Sequence, residues 1–259
     1  NNVPGAVTVS GVSPICEGSS TTLTATGGTD GTIYWQGTTS GGTSTGTPST
    51  SEVVSTSGTY YFRAYNDCGW GAQGSMMVLV NSLPSDPTAL ATPNPICSGS
   101  TTSLSAAVSG AVIYWYTGSC GGAEIASGSP VTVSPATMTT YYARSYNVTT
   151  GCWSDGCGSV TVNMLSTPEA VTVYSSGTYC GSTTLTAAGG TGGTIYWQGT
   201  VSGGMSTGTP STSQVVTASG TYYFRSYNSC TWGTEGFATV TINNVPGAVT
   251  VSGVSPICE

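Results

Sequence analysis

The sequence contains no lysine and no histidine, and its only basic side chains are three arginines. Histidine and lysine are common general bases and activated nucleophiles, so their absence argues against nucleophilic catalysis. The net charge of −7 is unfavourable for binding nucleic acid or an anionic membrane surface. No apolar run approaches the roughly 20 residues of a membrane-spanning helix. We therefore expect no enzyme activity, no nucleic-acid partner and no insertion into a membrane.

Recognisable metal-binding patterns are missing as well. The ten acidic residues are scattered without the spacing of a calcium loop, and the nine cysteines include no C-x-x-C pair. We therefore expect neither a metal nor a cofactor. Nine cysteines in a chain without histidine are typical of disulfides, which form in oxidising compartments. The expected location is extracellular or at the cell surface.

The sequence repeats itself on two scales. The opening NNVPGAVTVSGVSPICE returns unchanged as residues 243–259, so we expect the chain to be one 242-residue period of a longer array plus the start of the next. A shorter repeat is marked by Arg63, Arg144 and Arg225, which occupy equivalent segments. The predicted domains are residues 1–82, 83–164 and 165–242, here called the first, second and third repeats, with 243–259 as the first strand of the next copy of the first.

Short stretches rich in threonine, valine and tyrosine alternate with glycine, proline and serine, which predicts an all-β fold. Alternation along a strand assigns the faces: Tyr60 and Phe62 should point inward, and Tyr61 and Arg63 outward. The strands predicted in the first repeat are Ala6–Ser10, Thr21–Thr26, Thr32–Gln36, Glu52–Ser55, Thr59–Tyr65 and Ser75–Val80.

Two features resemble immunoglobulin domains. The string SGTYY at Ser57–Tyr61 is similar to the start of strand F, where the first tyrosine forms a hydrogen-bonded corner. Trp35, Trp115 and Trp197 are similar to the tryptophan that strand C contributes to the core. The predicted fold is therefore a series of tandem immunoglobulin-like β-sandwich domains in an extended rod.

The second repeat carries ICSGS at 96–100, YW at 114–115, SCGG at 119–122 and TTYYAR at 139–144. It resembles the immunoglobulin-like repeats of very large surface proteins in Bacteroidota, including the SprB-type gliding-motility adhesins that the type IX system exports. The resemblance implies a non-catalytic structural segment of an extracellular tandem-repeat filament or giant cell-surface adhesin. Its expected partners are neighbouring repeats of the same chain, with lateral copies and surface polysaccharide as further candidates. Two other functions are an array of carbohydrate-binding modules that use exposed aromatic residues, and a passive spacer for a distal domain.

The cysteines allow two pairing schemes. Parity and spacing suggest one recurring bridge inside each repeat, with an extra bridge in the second: Cys16–Cys68, Cys97–Cys152, Cys180–Cys230 and Cys120–Cys157. In a standard sandwich, however, Cys16 and Cys68 would lie at opposite ends, roughly 20 Å apart, whereas a bridge needs Cα atoms within about 7 Å. The alternative joins neighbouring domains through Cys68–Cys97, Cys152–Cys180 and Cys230–Cys258. A free reactive thiol is not expected.

The outward row Tyr61, Arg63 and Tyr65, with Tyr34 beside it, is the one surface that suggests a function. It is either a cross-strand ladder, in which the guanidinium lies over aromatic rings, or a contact face that recurs in every domain. Asn147 begins an N-x-T sequon and is a candidate glycosylation site.

Overall fold

The computed structural model describes residues 2–244 and 246–253, and every regular element assigned in those ranges is a β-strand. The chain forms two compact units. The first comprises Asn1–Pro93, Thr101–Val133 and Met138–Val162, and the second comprises Asn94–Ser100, Ser134–Thr137 and Asn163–Glu259. The sheets of the first two repeats therefore lie in the first unit, and those of the third repeat lie in the second.

The first repeat contains nine strands: β1 (Val7–Ser10), β2 (Ile15–Cys16), β3 (Thr21–Gly27), β4 (Thr32–Trp35), β5 (Ser51–Val54), β6 (Gly58–Asn66), β7 (Gly69–Trp70), β8 (Gly74–Val78) and β9 (Val80–Asn81). One antiparallel sheet has the order β1-β3-β5, and the other is built on β6, which pairs with β4, β7 and β8. Leu23 from the first sheet and Phe62 from the second are fully buried in one core. The repeat is thus a β-sandwich.

The second repeat repeats this plan with strands β10 (Leu90–Thr92), β11 (Thr102–Ser105), β12 (Val112–Thr117), β13 (Ala123–Ser127), β14 (Val131–Val133), β15 (Thr139–Asn147), β16 (Cys152–Trp153) and β17 (Gly158–Val162). Its sheets have the orders β10-β11-β14 and β13-β12-β15-β16, with β17 also paired to β15. In the first repeat a single antiparallel bridge between Tyr34 and Pro48 takes the place of strand β13. Trp115 is completely buried, as expected of the core tryptophan.

The third repeat contains β18 (Val171–Tyr174), β19 (Gly177–Cys180), β20 (Thr183–Gly189), β21 (Thr194–Gly199), β22 (Ser213–Val216), β23 (Gly220–Tyr227) and β24 (Gly236–Asn243). The sheet β18-β20-β22 faces the sheet β19-β24-β23-β21 across a core that includes Leu185, Phe224 and Val240. The same alternating pattern as in the first repeat therefore gives the same two-sheet sandwich.

Each repeat ends in a short parallel pairing that involves a cysteine segment. Strand β2 pairs with β9, which sets Cys16 opposite Asn81, and β19 pairs with β24, which sets Cys180 opposite Asn243. In the second repeat a single bridge between Ile96 and Met164 takes the same place. These contacts hold one cysteine of each repeat beside the point where the chain leaves that repeat.

The six strands predicted for the first repeat are all present, and their observed ends differ from the predicted ones by at most two residues. The inward positions are also correct, since Tyr60 and Phe62 are buried while Tyr61 and Arg63 are half-buried. Strands β2, β7 and β9 were not predicted, because two residues are too few to display a period of two.

The returning segment does not repeat the conformation of the opening. Residues 246–253 form no strand, and Val249 is 88% exposed where its counterpart Val7 is 5% exposed. In the first repeat β1 is held by Thr24–Gly27 of β3, and no strand pairing of this kind involves residues 246–253. Residues 243–259 were predicted to form the first strand of the next copy. Of these, Val245 and residues 254–259, which include Cys258, lie outside the described residues.

Candidate functional site

Two disulfides join consecutive repeats. Cys16 of the first repeat is bonded to Cys152 of the second, with their Cα atoms 5.7 Å apart. Cys97 of the second repeat is bonded to Cys230 of the third, with their Cα atoms 5.4 Å apart. Both bridges follow one rule, in which the cysteine near the exit of one repeat pairs with the cysteine in the β-hairpin near the entrance of the next. We call these bridges the junction disulfides.

The positions of the two cysteines in the first repeat explain this rule. Cys16 lies beside Asn81, where the repeat ends. Cys68 lies in the hairpin between β6 and β7, whose Asn66 side chain donates a hydrogen bond of 2.9 Å to the carbonyl of Asn2, where the repeat begins. Each repeat therefore has one cysteine at each end, and only the exit of one repeat and the entrance of the next can approach.

The recurring bridges of both predicted schemes are wrong for the described cysteines, whereas the extra bridge Cys120–Cys157 is confirmed. The pairs Cys16–Cys68, Cys97–Cys152 and Cys180–Cys230 would span a whole sandwich, as the distance objection anticipated. The pairs Cys68–Cys97 and Cys152–Cys180 do cross between repeats, but they connect an entrance to the exit of the following repeat. The expectation of bridges between neighbouring repeats was correct, and the direction assigned to them was not. The third bridge of that scheme, Cys230–Cys258, is excluded because Cys230 is bonded to Cys97.

Two thiols in the described part of the chain are free, contrary to expectation. Cys68, at the entrance of the first repeat, and Cys180, at the exit of the third, are both exposed and unbonded. Their counterparts in the other repeats, Cys152 and Cys230 at the entrances and Cys16 and Cys97 at the exits, are all bonded.

The third disulfide, Cys120–Cys157, lies within the second repeat as predicted, and its Cα atoms are 5.8 Å apart. It ties the loop after β12 to the residue that precedes β17. In the first repeat the same tie is made by Gln73, whose side chain accepts a hydrogen bond of 2.7 Å from the amide of Gly41 and donates one of 3.1 Å to Ser40. We call this tie the loop clamp.

In the third repeat the loop clamp is a carboxylate. Glu235 accepts hydrogen bonds from the amide of Gly203 at 2.6 Å and from the hydroxyl of Ser202 at 2.8 Å. An amide, a disulfide and a carboxylate thus serve one structural purpose at equivalent positions. This equivalence accounts for the absence of both cysteines of the extra bridge from the first and third repeats.

The outward face that was predicted from Tyr34, Tyr61, Arg63 and Tyr65 is a packed ladder. The guanidinium carbon of Arg63 lies 5.5 Å from the ring centre of Trp70, and its Nε donates a hydrogen bond of 2.7 Å to the carbonyl of Gly71. The rings of Tyr34 and Tyr65 pack against the same indole at 5.9 and 4.8 Å. We call this group the arginine–tryptophan stack.

The same stack recurs in the other repeats, where Arg144 lies over Trp153 and Arg225 over Trp232, at 5.4 and 5.6 Å. Tyr61 is not part of the stack, because it lies two residues before Arg63 in β6, opposite Ser75 of β8. The sequence analysis missed the tryptophan. Its signal was present, since a tryptophan follows the hairpin cysteine by one or two positions in every repeat.

The remaining predicted positions have structural partners. The hydroxyl of Tyr60 donates to the carbonyl of Thr56, and that of Tyr222 donates to the carbonyl of Ala218, each at 2.8 Å, which is the predicted tyrosine corner. The side-chain oxygen of Asn147 accepts hydrogen bonds from the amides of Thr149 and Thr150. Asn147 thereby shapes the hairpin that carries Cys152, and its glycosylation stays a prediction.

Two tyrosines of the second repeat have perturbed ionisation. Burial raises the pKa of Tyr116 above its ordinary value of 10.0, and the nearby carboxylate of Glu124 raises it further, while the Arg144 guanidinium acts in the opposite direction. Burial raises the pKa of Tyr141. In both cases the phenolate is the form that the fold disfavours.

Among the described residues, no cluster of three or more histidine, cysteine, aspartate or glutamate side chains has the geometry to hold a metal ion. The described residues also contain no helix long and apolar enough to cross a membrane.

Comparison with known families matches the model described as "Ig-like domain CHU_C associated" to residues 4–81 and 84–165. The chain belongs to this family, with two of its domains in tandem, and the fold is all-β with immunoglobulin-like sandwiches in series. The fold is typically non-catalytic. The three disulfides are typical of an oxidising environment and of extracellular surface proteins.

Solved structures resemble the chain in fold alone. The ectodomain of mouse nectin-like molecule 4, with domains Ig1–Ig3, is 13% identical at a TM-score of 0.38, with coverage of 92% of this chain and 99% of that one. Domains A168–A170 of titin are 16% identical at a TM-score of 0.31, with coverage of 91% and 97%. No curated protein sequence matches the chain.

Proposed function

We propose that the chain is a structural segment of an extracellular tandem-repeat filament or giant cell-surface adhesin, and that it carries tension rather than catalysing a reaction. The observation that supports this most directly is the pair of junction disulfides. A disulfide inside one domain limits the extension of that domain alone when the chain is under tension. A bridge between consecutive repeats gives tension a covalent route that is shorter than the backbone and limits the extension of the chain when a sandwich unfolds.

That covalent route is short. From Asn2 to Gly253 the backbone has about 250 residues, whereas the shortest path through all three bridges uses about 65. An extended chain spans at most about 3.5 Å per residue. The fully stretched oxidised chain should therefore measure roughly 250 Å, and the reduced chain roughly 880 Å.

Single-molecule pulling from residues near 2 and 253 tests the proposal. We expect oxidised molecules to stop extending near 250 Å and reductant to release the remaining length. The matched variant C97S/C230S leaves a path of about 115 residues and should stop near 400 Å. Oxidised wild-type molecules that extend to the reduced length would show that the bridges do not carry the load.

The arginine–tryptophan stack also favours a filament over a carbohydrate-binding module. The rings of Tyr34 and Tyr65 pack against Trp70, and Arg63 donates a hydrogen bond to a backbone carbonyl. These side chains therefore already contact groups of their own domain. A sugar-binding platform would instead need an aromatic face that is free to stack on the ligand.

The proposed location follows from the disulfides and from the resemblance to Bacteroidota surface repeats. Immunogold labelling with antibodies against the recombinant chain, applied to intact cells that make the full-length protein, tests it. We expect label on the outer surface or on filaments that extend from it. Label that appears only after the cells are permeabilised would contradict an extracellular role.

A further inference from the structure

The free thiols of Cys68 and Cys180 have the same local structure as cysteines that are bonded. The amide of Cys68 donates a hydrogen bond of 2.9 Å to the side chain of Asn66, and the amide of Cys230 donates one of 3.0 Å to Asn228. Cys68 and Cys230 therefore occupy equivalent entrance hairpins. Cys230 is bonded to the exit cysteine of the preceding repeat, and Cys68 is free.

Cys180 matches the bonded exit cysteines in the same way. Cys16 and Cys180 each sit in the parallel pairing at the end of their repeat, opposite Asn81 and Asn243. Each is followed by a tight turn that contains a glycine with positive φ, Gly18 at 81° or Gly181 at 77°. The amide that closes the turn on the cysteine carbonyl belongs to Ser19 after Cys16 and to Ser182 after Cys180, so the second turn is one residue shorter. The exit cysteine of the third repeat thus has the same parallel strand pairing as Cys16, which is already bonded to the neighbouring repeat.

The Cys16–Cys152 junction also shows which surface surrounds a junction disulfide. The turn that begins at Cys16 borders the same surface depression as Arg144 and Trp153, which form the arginine–tryptophan stack of the second repeat. In the first repeat the corresponding stack of Arg63 and Trp70 adjoins the hairpin of Cys68. The entrance of the first repeat therefore carries a hairpin cysteine and an arginine–tryptophan stack, as the receiving surface of the second repeat does.

The sequence indicates which repeat could meet Cys180. Because residues 243–259 repeat residues 1–17, the domain expected after the third repeat is another copy of the first. We propose that Cys180 forms a disulfide with the cysteine at the Cys68 position of that following copy, so that the junction disulfides continue from one 242-residue period to the next. This inference rests on the proposed tandem array, and it assigns the two free thiols as the two halves of one recurring bridge.

The chemistry balances with a disulfide oxidant such as oxidised glutathione. The Cys180 thiolate attacks one glutathione sulfur and releases the first glutathione thiolate. The thiolate at the Cys68 position then attacks the Cys180 sulfur and releases the second. Two thiols are oxidised, one glutathione disulfide is reduced to two thiols, and the two protons pass to solvent or to the departing thiolates.

A two-period chain, made of residues 1–242 followed by residues 1–243, tests the proposal. After oxidation with glutathione and denaturation, its free thiols are counted with a chromogenic disulfide reagent. If the bridge between periods forms, the only free thiols are Cys68 of the first period and Cys180 of the second, which gives two per molecule. If it does not form, Cys68 and Cys180 stay free in both periods, as they are in the single chain, which gives four.

The same substitution in either period provides a matched pair of variants. Cys180→Ser in the first period should raise the count from two to three, because it releases the Cys68 position of the second period. Cys180→Ser in the second period should lower the count from two to one. A count of four in the parent and three in both variants would overturn the proposal, as would peptide mapping that finds Cys180 bonded to any other cysteine. Labelling of intact cells does not depend on this bridge, so failure here is distinguishable from failure of the proposed location.

Discussion

At the scale of single residues, the loop clamp shows how one structural need is met by three kinds of chemistry. Gln73, Cys157 and Glu235 occupy equivalent positions, and each ties down the same loop through its partner residues. The disulfide is covalent, while the amide and the carboxylate rely on hydrogen bonds to backbone and serine. A clamp residue and its loop partner in one repeat should therefore be replaceable, as a pair, by the corresponding pair of another repeat.

We predict that the double variant S40C/Q73C forms a disulfide in the first repeat, because Ser40 and Gln73 correspond to Cys120 and Cys157. A bridge that closes a loop of this length should stabilise the repeat by about 4 kcal/mol. Thiol counting and denaturant unfolding measure the result. The reverse exchange, C120S/C157Q, is the control and should fold with a polar tie. Unchanged stability together with two additional free thiols would show that the positions are not equivalent.

A second residue-scale prediction concerns alkaline pH. Since the fold raises the pKa of Tyr116, its contribution to stability is fully present below the unfolded-state pKa of about 10 and is lost as the pH rises through the folded-state value. We expect the free energy of unfolding to fall above about pH 10, and to fall less steeply in Tyr116→Phe. Denaturant titrations from pH 7 to 11.5, with free thiols blocked, measure both slopes. Parallel curves for the two proteins would contradict the assignment.

At the scale of secondary-structure elements, each arginine–tryptophan stack fastens a central strand to the segment that follows the entrance hairpin. Arg225 of β23 donates from Nε to the carbonyl of Gly233 at 2.8 Å while its guanidinium lies over Trp232. Lysine keeps the charge but lacks the planar, delocalised group that makes both contacts at once.

We predict that Arg225→Lys lowers the free energy of unfolding of the third repeat by about 1–2 kcal/mol. Arg225→Met keeps much of the apolar stem without the charge and separates packing from hydrogen bonding. Denaturant unfolding followed by tryptophan fluorescence gives the values. A lysine variant as stable as the wild type would mean that the stack is held by packing of the stem alone.

The long strands could be predicted from the sequence because alternation of buried and exposed side chains is strong in segments such as β6 and β23. The short strands β2 and β19 could not be fully predicted, because their partners β9 and β24 are parallel and distant in sequence. Those two pairings fix the exit cysteines. The distance objection identified the wrong pairing, but only the position of Cys16 beside Asn81 reveals the right direction.

At the scale of the whole molecule, stability should depend strongly on the junction disulfides. Each closes a loop of more than 130 residues, for which the chain-entropy model gives about 5 kcal/mol. We predict that reductant lowers the melting temperature by roughly 10 °C or more. The variants C16S/C152S and C97S/C230S should each show part of that shift. Equal melting of oxidised and reduced protein would show that the bridges contribute nothing to stability.

The overlap of the bridges along the sequence has a consequence for survival under proteolysis. Because the span 16–152 overlaps the span 97–230, no single cut between Cys16 and Cys230 can separate the chain into two molecules. Even cleavage after all three arginines leaves four fragments that are joined in series by the disulfides Cys16–Cys152, Cys120–Cys157 and Cys97–Cys230. A fully trypsin-cut chain should therefore migrate as one species on a non-reducing gel, and mass spectrometry should detect four fragments after reduction. Even with its backbone cut at every tryptic site, the chain would still be a single covalent molecule.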